Sequence, residues 1–266
     1  MSETLVINED RLFAPVSLRQ IDGYAHIDTG ARHSGILQAH SAQFPSVGSR
    51  EICGALGTTS VLQVCLDEIH FLGESFQGVV VDAQPDTQGD LDTLSFQVTL
   101  ALGCDVLLQK PLYLNFVESE ISYRVNNMLD TTEHLRLETN FSLGIPVFQI
   151  SFRNHVLDAV FDTGGGLSLL NQRLLGVFQA GLIEDEPIEV EDATGAKHIV
   201  PTFRCSNLAI GDYPLEDFQF LLIDLTAVEQ EKHLQIDFVF GLNAMKGKRW
   251  LVNRQESFIE LIRATD

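Results

Sequence analysis

Two stretches decide how this chain is read: Tyr24-Ala25-His26-Ile27-Asp28-Thr29-Gly30 and Leu157-Asp158-Ala159-Val160-Phe161-Asp162-Thr163-Gly164. Each is a β-like run that ends in Asp-Thr-Gly. At average composition, one such tripeptide arises by chance in roughly one chain in twenty of this length. Two copies in equivalent contexts therefore point to duplication. Asp28 and Asp162 are offset by 134 residues. At that offset Val16-Ser17-Leu18-Arg19-Gln20 falls on Ile150-Ser151-Phe152-Arg153-Asn154 without a gap, and Ser34 falls on Ser168.

The matches continue as the offset grows with loop length. Phe76-Gln77 and Val79-Val80-Val81-Asp82 resemble Phe218-Gln219 and Leu221-Leu222-Ile223-Asp224. Leu102-Gly103-Cys104-Asp105 resembles Phe240-Gly241-Leu242-Asn243, and Asn115 with Glu118-Ser119 resembles Asn253 with Glu256-Ser257. The period is too long for a solenoid. The expectation is two copies of one small domain, at residues 1–121 and 144–266. They are joined by a polar connection at 122–143 without a counterpart in the first copy.

The bulk numbers fit that division. A chain of 266 residues with 45% hydrophobic and 20% charged content has ample core material for two small domains. No run approaches the ~18 consecutive apolar residues of a membrane helix. Met1-Ser2-Glu3-Thr4-Leu5 has neither the basic region nor the apolar core of a secretory signal, so a cytoplasmic protein is expected. Cys53, Cys65, Cys104 and Cys205 lack metal-ligand spacing. Cys53 and Cys65 are able to face each other across a hairpin centred near Thr59, but in a reducing compartment they are read as free thiols. A net charge of −20 argues against nucleic acid and against anionic membrane surfaces as partners. It serves solubility; attraction of basic substrates is the sharper alternative.

Alternating β-branched and aromatic runs recur in both halves. They cover Phe13 to Leu18, Val61 to Leu66, Phe76 to Val81 and Phe96 to Leu102 in the first. The second repeats them at Val147 to Phe152, Ile188 to Val190, Phe218 to Ile223 and Phe238 to Phe240. Gly, Pro, Asp and Asn turns separate them, which predicts an all-β fold. Short helices are predicted only after Gly103 and Gly241 and within Leu169 to Ala180.

The chemistry concentrates in the two Asp-Thr-Gly turns. Glycine permits close backbone approach, and the turn's amides can orient a carboxylate. The threonine hydroxyl can reach the opposite loop and lock the pair together. Two such loops about a pseudo-two-fold axis bring Asp28 and Asp162 side by side. Like charges at that distance cannot both ionise cheaply, so the pair holds one proton and can act as base and acid together. The alternative is a pair of ordinary Asp-Gly turns, common in β proteins.

These residues resemble the retropepsin and pepsin class of aspartic proteases. Ile27-Asp28-Thr29-Gly30-Ala31 is similar to their active-site loop, and Gly103-Cys104-Asp105-Val106-Leu107-Leu108-Gln109 to the segment opening the C-terminal helix of retropepsins. Residues 28–40, DTGARHSGILQAH, are also similar to a bacterial retropepsin-like family once labelled ATP-dependent zinc proteases. No His-Glu-x-x-His or comparable cluster occurs, so no metal or cofactor is expected.

The resemblance implies a bilobal pepsin-like fold of two β-barrel-like lobes. It implies an endopeptidase with catalytic Asp28 and Asp162, acting on peptide or protein substrates as a monomer whose fused lobes replace a homodimer. Thr29, Gly30, Ala31, Thr163, Gly164 and Gly165 are its expected substrate-side residues. Flaps are expected at Cys53-Gly54-Ala55-Leu56-Gly57-Thr58-Thr59 and Asp192-Ala193-Thr194-Gly195-Ala196, with Gly54, Ala55, Leu56 and Gly57 reaching substrate.

Gly165 departs from the Ser, Thr or Ala usual after the motif glycine, and Ala31 likewise supplies no hydroxyl. Both absences imply an activity optimum less acidic than that of hydroxyl-bearing relatives. A non-catalytic peptide-binding protein on the same fold is the competing reading, and a very narrowly specific protease is a third.

Overall fold

The structure is a computed structural model describing residues 2–8, 10–19, 21–53, 57–84, 94–123, 133–191 and 197–263. Among them no helix is long and apolar enough to cross a membrane. The protein is predominantly β, with helices of at most a few turns. Every run read from the sequence as a strand contains one, although Val98–Leu102 begins after Phe96. The helices after Gly103 and Gly241 are single turns, Cys104–Leu107 and Leu242–Met245. Residues 169–180 open instead as a strand, Ser168–Asn171, before turning helical.

Two of the three sheets are wired alike. In the first half the neighbours run Arg11–Leu18, Ile21–Ile27, Val98–Leu102, Gly35–Leu37, Glu74–Gln84, Thr58–Phe71 and Ser46–Cys53. In the second they run Val147–Phe152, His155–Phe161, Phe238–Phe240, Ser168–Asn171, Phe218–Ile223, Lys197–Cys205 and Leu182–Glu191. Each half opens with a hairpin whose tight turn holds an arginine in the left-handed region, Arg19 at φ 44° and Arg153 at φ 52°. The hairpin's second strand then pairs in parallel with the strand that ends at Gly103 or Gly241.

Strand pairing corrects one sequence match. Gly35 pairs with Asp82, and its counterpart Leu169 pairs with Leu221. Asp82 therefore corresponds to Leu221, and the alignment of Val79–Asp82 on Leu221–Asp224 is three residues out of register. Runs apolar on both faces carry no alternation to specify register, so their similarity is compositional.

The third sheet belongs to both halves. Its order is Ser2–Thr4, Glu120–Ser122, Leu112–Asn115, Arg249–Asn253, Phe258–Arg263 and Glu133–Glu138. The segment read as a connection thus does have a first-half counterpart, the N-terminal strand. The Leu5 amide donates to the Ser119 carbonyl at 2.8 Å, and the Thr139 amide to the Ser257 carbonyl at 3.0 Å. Ser119 and Ser257 share φ 56°. One continuous apolar core runs through both halves. Near its centre the fully buried Trp250 meets Phe161 and Phe240 edge-on, at 5.3 and 5.8 Å between centroids.

No disulfide joins Cys53, Cys65, Cys104 or Cys205. Cys53 lies opposite Thr58 and Cys65 opposite Val80, so the two are not cross-strand partners. Thr59, read as the centre of a hairpin between them, lies within the strand Thr58–Phe71 and pairs with Ile52.

Candidate active site

Both Asp-Thr-Gly turns sit where a strand leaves its parallel partner. The Asp28 amide donates to the Leu102 carbonyl at 2.9 Å and the Asp162 amide to the Phe240 carbonyl at 3.0 Å, so each turn is pinned at its first residue. The glycine closing the parallel strand then packs on the loop beyond. A Cβ on Gly103 would lie 2.7 Å from the His33 carbonyl carbon, and one on Gly241 would lie 2.7 Å from that of Leu167. No larger residue fits at either position.

A hydroxyl stitches each loop to its helical turn. The Gly103 amide donates to Ser34 Oγ at 3.0 Å, and Ser34 Oγ donates to Asp105 Oδ1 at 2.6 Å. In the second half the Gly241 amide donates to Ser168 Oγ at 3.1 Å, and Ser168 Oγ donates to Asn243 Oδ1 at 2.9 Å.

The two turns then meet. The Thr29 amide donates to Thr163 Oγ1, and the Thr163 amide to Thr29 Oγ1, each at 3.0 Å. Each hydroxyl donates onward at 2.7 Å, from Thr29 to the Phe161 carbonyl and from Thr163 to the Ile27 carbonyl. Both threonines are 0% exposed. They are therefore not substrate-side residues, and that expectation is corrected: their hydroxyls are consumed in holding the turns together.

The glycines bring the carboxylates into the same space. A Cβ on Gly30 would collide with the Asp162 carboxylate, and one on Gly164 with that of Asp28. The Ala31 amide donates to Asp28 Oδ1 at 2.9 Å. The Gly164 and Gly165 amides donate to Asp162 Oδ1 at 2.8 and 3.1 Å. Burial, then the Asp28 charge, push the Asp162 carboxyl up to about 7, against the opposing pull of those two amides. The arrangement holds one proton up to near neutrality. His26, two residues before Asp28, is held down to about 4 by burial and then by Arg11, so near neutrality it is uncharged.

The carboxylates open into a cleft of about 740 Å³ between the halves. Gly30, Ala31, Gly164 and Gly165 line it. Hairpin strands from both halves reach it through Arg50 and Ile52 on one side and Ile188 and Val190 on the other. Of the expected flap tips, Gly54, Ala55, Leu56 and 192–196 lie outside the described residues. Gly57 is half-buried beside Thr58 and is not part of the cleft lining.

Sequence reasoning missed Arg11, Arg50, Asp82, Leu221 and Val239, all of which line the cleft. Leu221 and Asp82 carry a legible signal only once the strand register is known. Arg50 carries none, because its edge strand has no alternation. Among the described residues no three His, Cys, Asp or Glu side chains are gathered in a way that could hold a metal ion. No family model matches the chain, and no curated protein is significantly similar to it.

Proposed function

We propose that the protein is an aspartic endopeptidase of the retropepsin and pepsin class, two retropepsin-like lobes in one chain working as an internal dimer. The observation that carries this reading is the reciprocal packing of the two turns, each carboxylate lying against the other turn's glycine. The raised proton affinity of Asp162 beside Asp28 supplies the acid and base pair such chemistry needs.

In the proposed reaction a water lies between the carboxylates. Ionised Asp28 takes its proton as the water oxygen bonds to the peptide carbonyl carbon. Protonated Asp162 gives its proton to the carbonyl oxygen, leaving a neutral gem-diol. Asp28 then passes its proton to the leaving nitrogen, the C–N bond breaks, and Asp162 recovers a diol proton as the carboxyl product forms. The cleft edges, formed by hairpin strands of both halves, suit an extended peptide held as an added strand. Cysteines held as thiols rather than disulfides fit a cytoplasmic protein.

The test is incubation with a diverse unstructured peptide mixture from pH 3 to 8, mapping new termini by mass spectrometry beside Asp28→Asn. Cleavage that vanishes in Asp28→Asn supports the reading. Equal silence of both proteins sinks the general peptidase and favours a peptide-binding protein on this fold.

A further inference from the structure

The cleft is not symmetric, and the strand pairing allows a position-by-position comparison of its two sides. Gly35 pairs with Asp82 and Ala101, as Leu169 pairs with Leu221 and Val239. Leu37 pairs with Gln84 as Asn171 pairs with Ile223. Gln63 pairs with Asp82 as Thr202 pairs with Leu221, which carries the correspondence to the outer hairpins: Arg50 opposite Val61 matches Ile188 opposite Val200. Where the second half builds a pocket from Leu169, Ile188, Leu221, Ile223 and Val239, the first half holds Gly35, Arg50, Asp82, Gln84 and Ala101.

The first-half pocket is built for polarity. Asp82 is 3% exposed and is clasped by Arg50, whose Nε donates to Asp82 Oδ1 at 2.9 Å and whose Nη2 reaches Oδ2. The Gln63 amide lies 3.4 Å from the same carboxylate. Gly35 makes room for this arrangement, since a Cβ there would strike the Gln84 amide. Arg50 Nη1 makes no hydrogen bond among the described residues, and Arg50 faces the cleft. Arg32 also lines the cleft, with no described carboxylate in ion-pair range. Burial, and then the Arg50 charge, hold His33 beside them below the ordinary histidine range.

We infer that the cleft selects an extended peptide with two unlike side chains at equal distances on either side of the bond to be cut. One is a hydrogen-bond acceptor, carboxylate or carboxamide, held by Arg50; the other is a bulky aliphatic group held by Leu169, Ile188, Leu221 and Ile223. The equal distance follows from the pseudo-two-fold axis, which passes between Asp28 and Asp162 and relates the two pockets. An aliphatic side chain over Arg50 would cover an Nη1 donor and leave it without water or acceptor, the kind of mismatch that polar sites reject most strongly. The inference rests on the peptidase reading for the position of the cut, not for the chemistry of the pockets.

A randomised peptide library tests both. Wild-type protein is assayed for cleavage, and Asp28→Asn for peptides it retains without cutting. The expected result is one position enriched in Glu, Gln, Asp or Asn over Leu by about tenfold or more. The position symmetric to it should be enriched in Leu, Ile or Val. Enrichment of Glu above Gln identifies the carboxylate as the ligand, and equal enrichment the shared carbonyl acceptor; either upholds the assignment. In Arg50→Ile/Asp82→Leu the first position turns aliphatic while the second stays as it was. If that variant does not fold, Ile188→Arg/Leu221→Asp must bring acceptors to both positions. Aliphatic preference at both positions in the wild type, or none at the first, overturns the inference. Patterned binding without cleavage overturns the peptidase reading alone, and neither binding nor cleavage overturns both.

Discussion

Thr29 and Thr163 exchange hydrogen bonds across the interface of the two halves, each amide donating to the other's Oγ1 at 3.0 Å. Both residues are fully buried, so no water stands ready to replace a lost partner. Thr163→Val keeps the shape but orphans the Thr29 amide and the Ile27 carbonyl, a cost of roughly 2–4 kcal/mol. The urea midpoint should fall accordingly, Thr163→Ser should recover most of the loss, and Thr29→Val, which orphans the separate pair of the Thr163 amide and the Phe161 carbonyl, should lower it about as much again. A midpoint no lower than that of Thr58→Val, at an exposed position, would remove the interlock from the account.

Much of this arrangement is legible in the sequence because it is local. The match of Ser34 to Ser168, and of Asp105 to Asn243, marks side chains that close the same short loop, and both pairs hydrogen-bond as a unit. Arg19 and Arg153 match for the same reason, each filling one tight turn. What the sequence hides is set by pairing partners distant in the chain. Ser2–Thr4 and Arg136–Glu138 occupy equivalent edges of the shared sheet, yet three-residue edge segments have no pattern to compare. Arg50 is likewise visible as a cleft residue only through its pairing with Val61 and its clasp on Asp82.

Asp162 makes folding stability depend on pH in a calculable direction. Its carboxyl is raised to about 7 in the folded protein from an ordinary value of 3.8. Its contribution is therefore fully present below about pH 4 and is lost as pH rises through about 7. Asp162→Asn keeps an acceptor for the Gly164 and Gly165 amides and removes the charge. It should raise Tm at pH 8 by several degrees, roughly 2 kcal/mol, and have little effect at pH 4. Thermal unfolding of both proteins at the two pH values decides it: an equal shift at both would show that the gain is not electrostatic.

His26 acts in the opposite sense. Its folded value, about 4, lies below the ordinary 6.5, chiefly through burial and then through Arg11. Its stabilising contribution is present above pH 6.5 and is lost as pH falls towards 4. Its Nε2 is buried without a hydrogen-bond partner among the described residues, and its ring lies 5.7 Å from that of Phe13. His26→Phe should therefore lose less Tm than the wild type between pH 7 and pH 5. A variant that tracks the wild-type curve would assign the acid sensitivity elsewhere.

Gly165 sets the pH at which the proposed dyad works. Its amide donates to Asp162 Oδ1 at 3.1 Å, but a Cβ at this position would lie 3.2 Å from Oδ2, within reach of a hydroxyl placed one atom further out. Gly165→Ser supplies a donor to that oxygen, and a hydrogen bond to the charged form lowers a carboxyl's proton affinity. The wild-type profile of kcat/KM should peak above about pH 4, and the alkaline limb in Gly165→Ser, which reports loss of the Asp162 proton, should move to lower pH by up to about one unit. Ala31→Ser should act on the acid limb instead, again towards lower pH, because the Ala31 amide binds Asp28, the base of the proposed reaction, as the Gly165 amide binds Asp162. The contact is tight, so the serine hydroxyl must displace a neighbour slightly; a loss of activity at every pH would report that strain. A shift of the alkaline limb with the maximum rate preserved reports the hydrogen bond, and an unmoved limb would mean that the missing hydroxyl does not tune the pair.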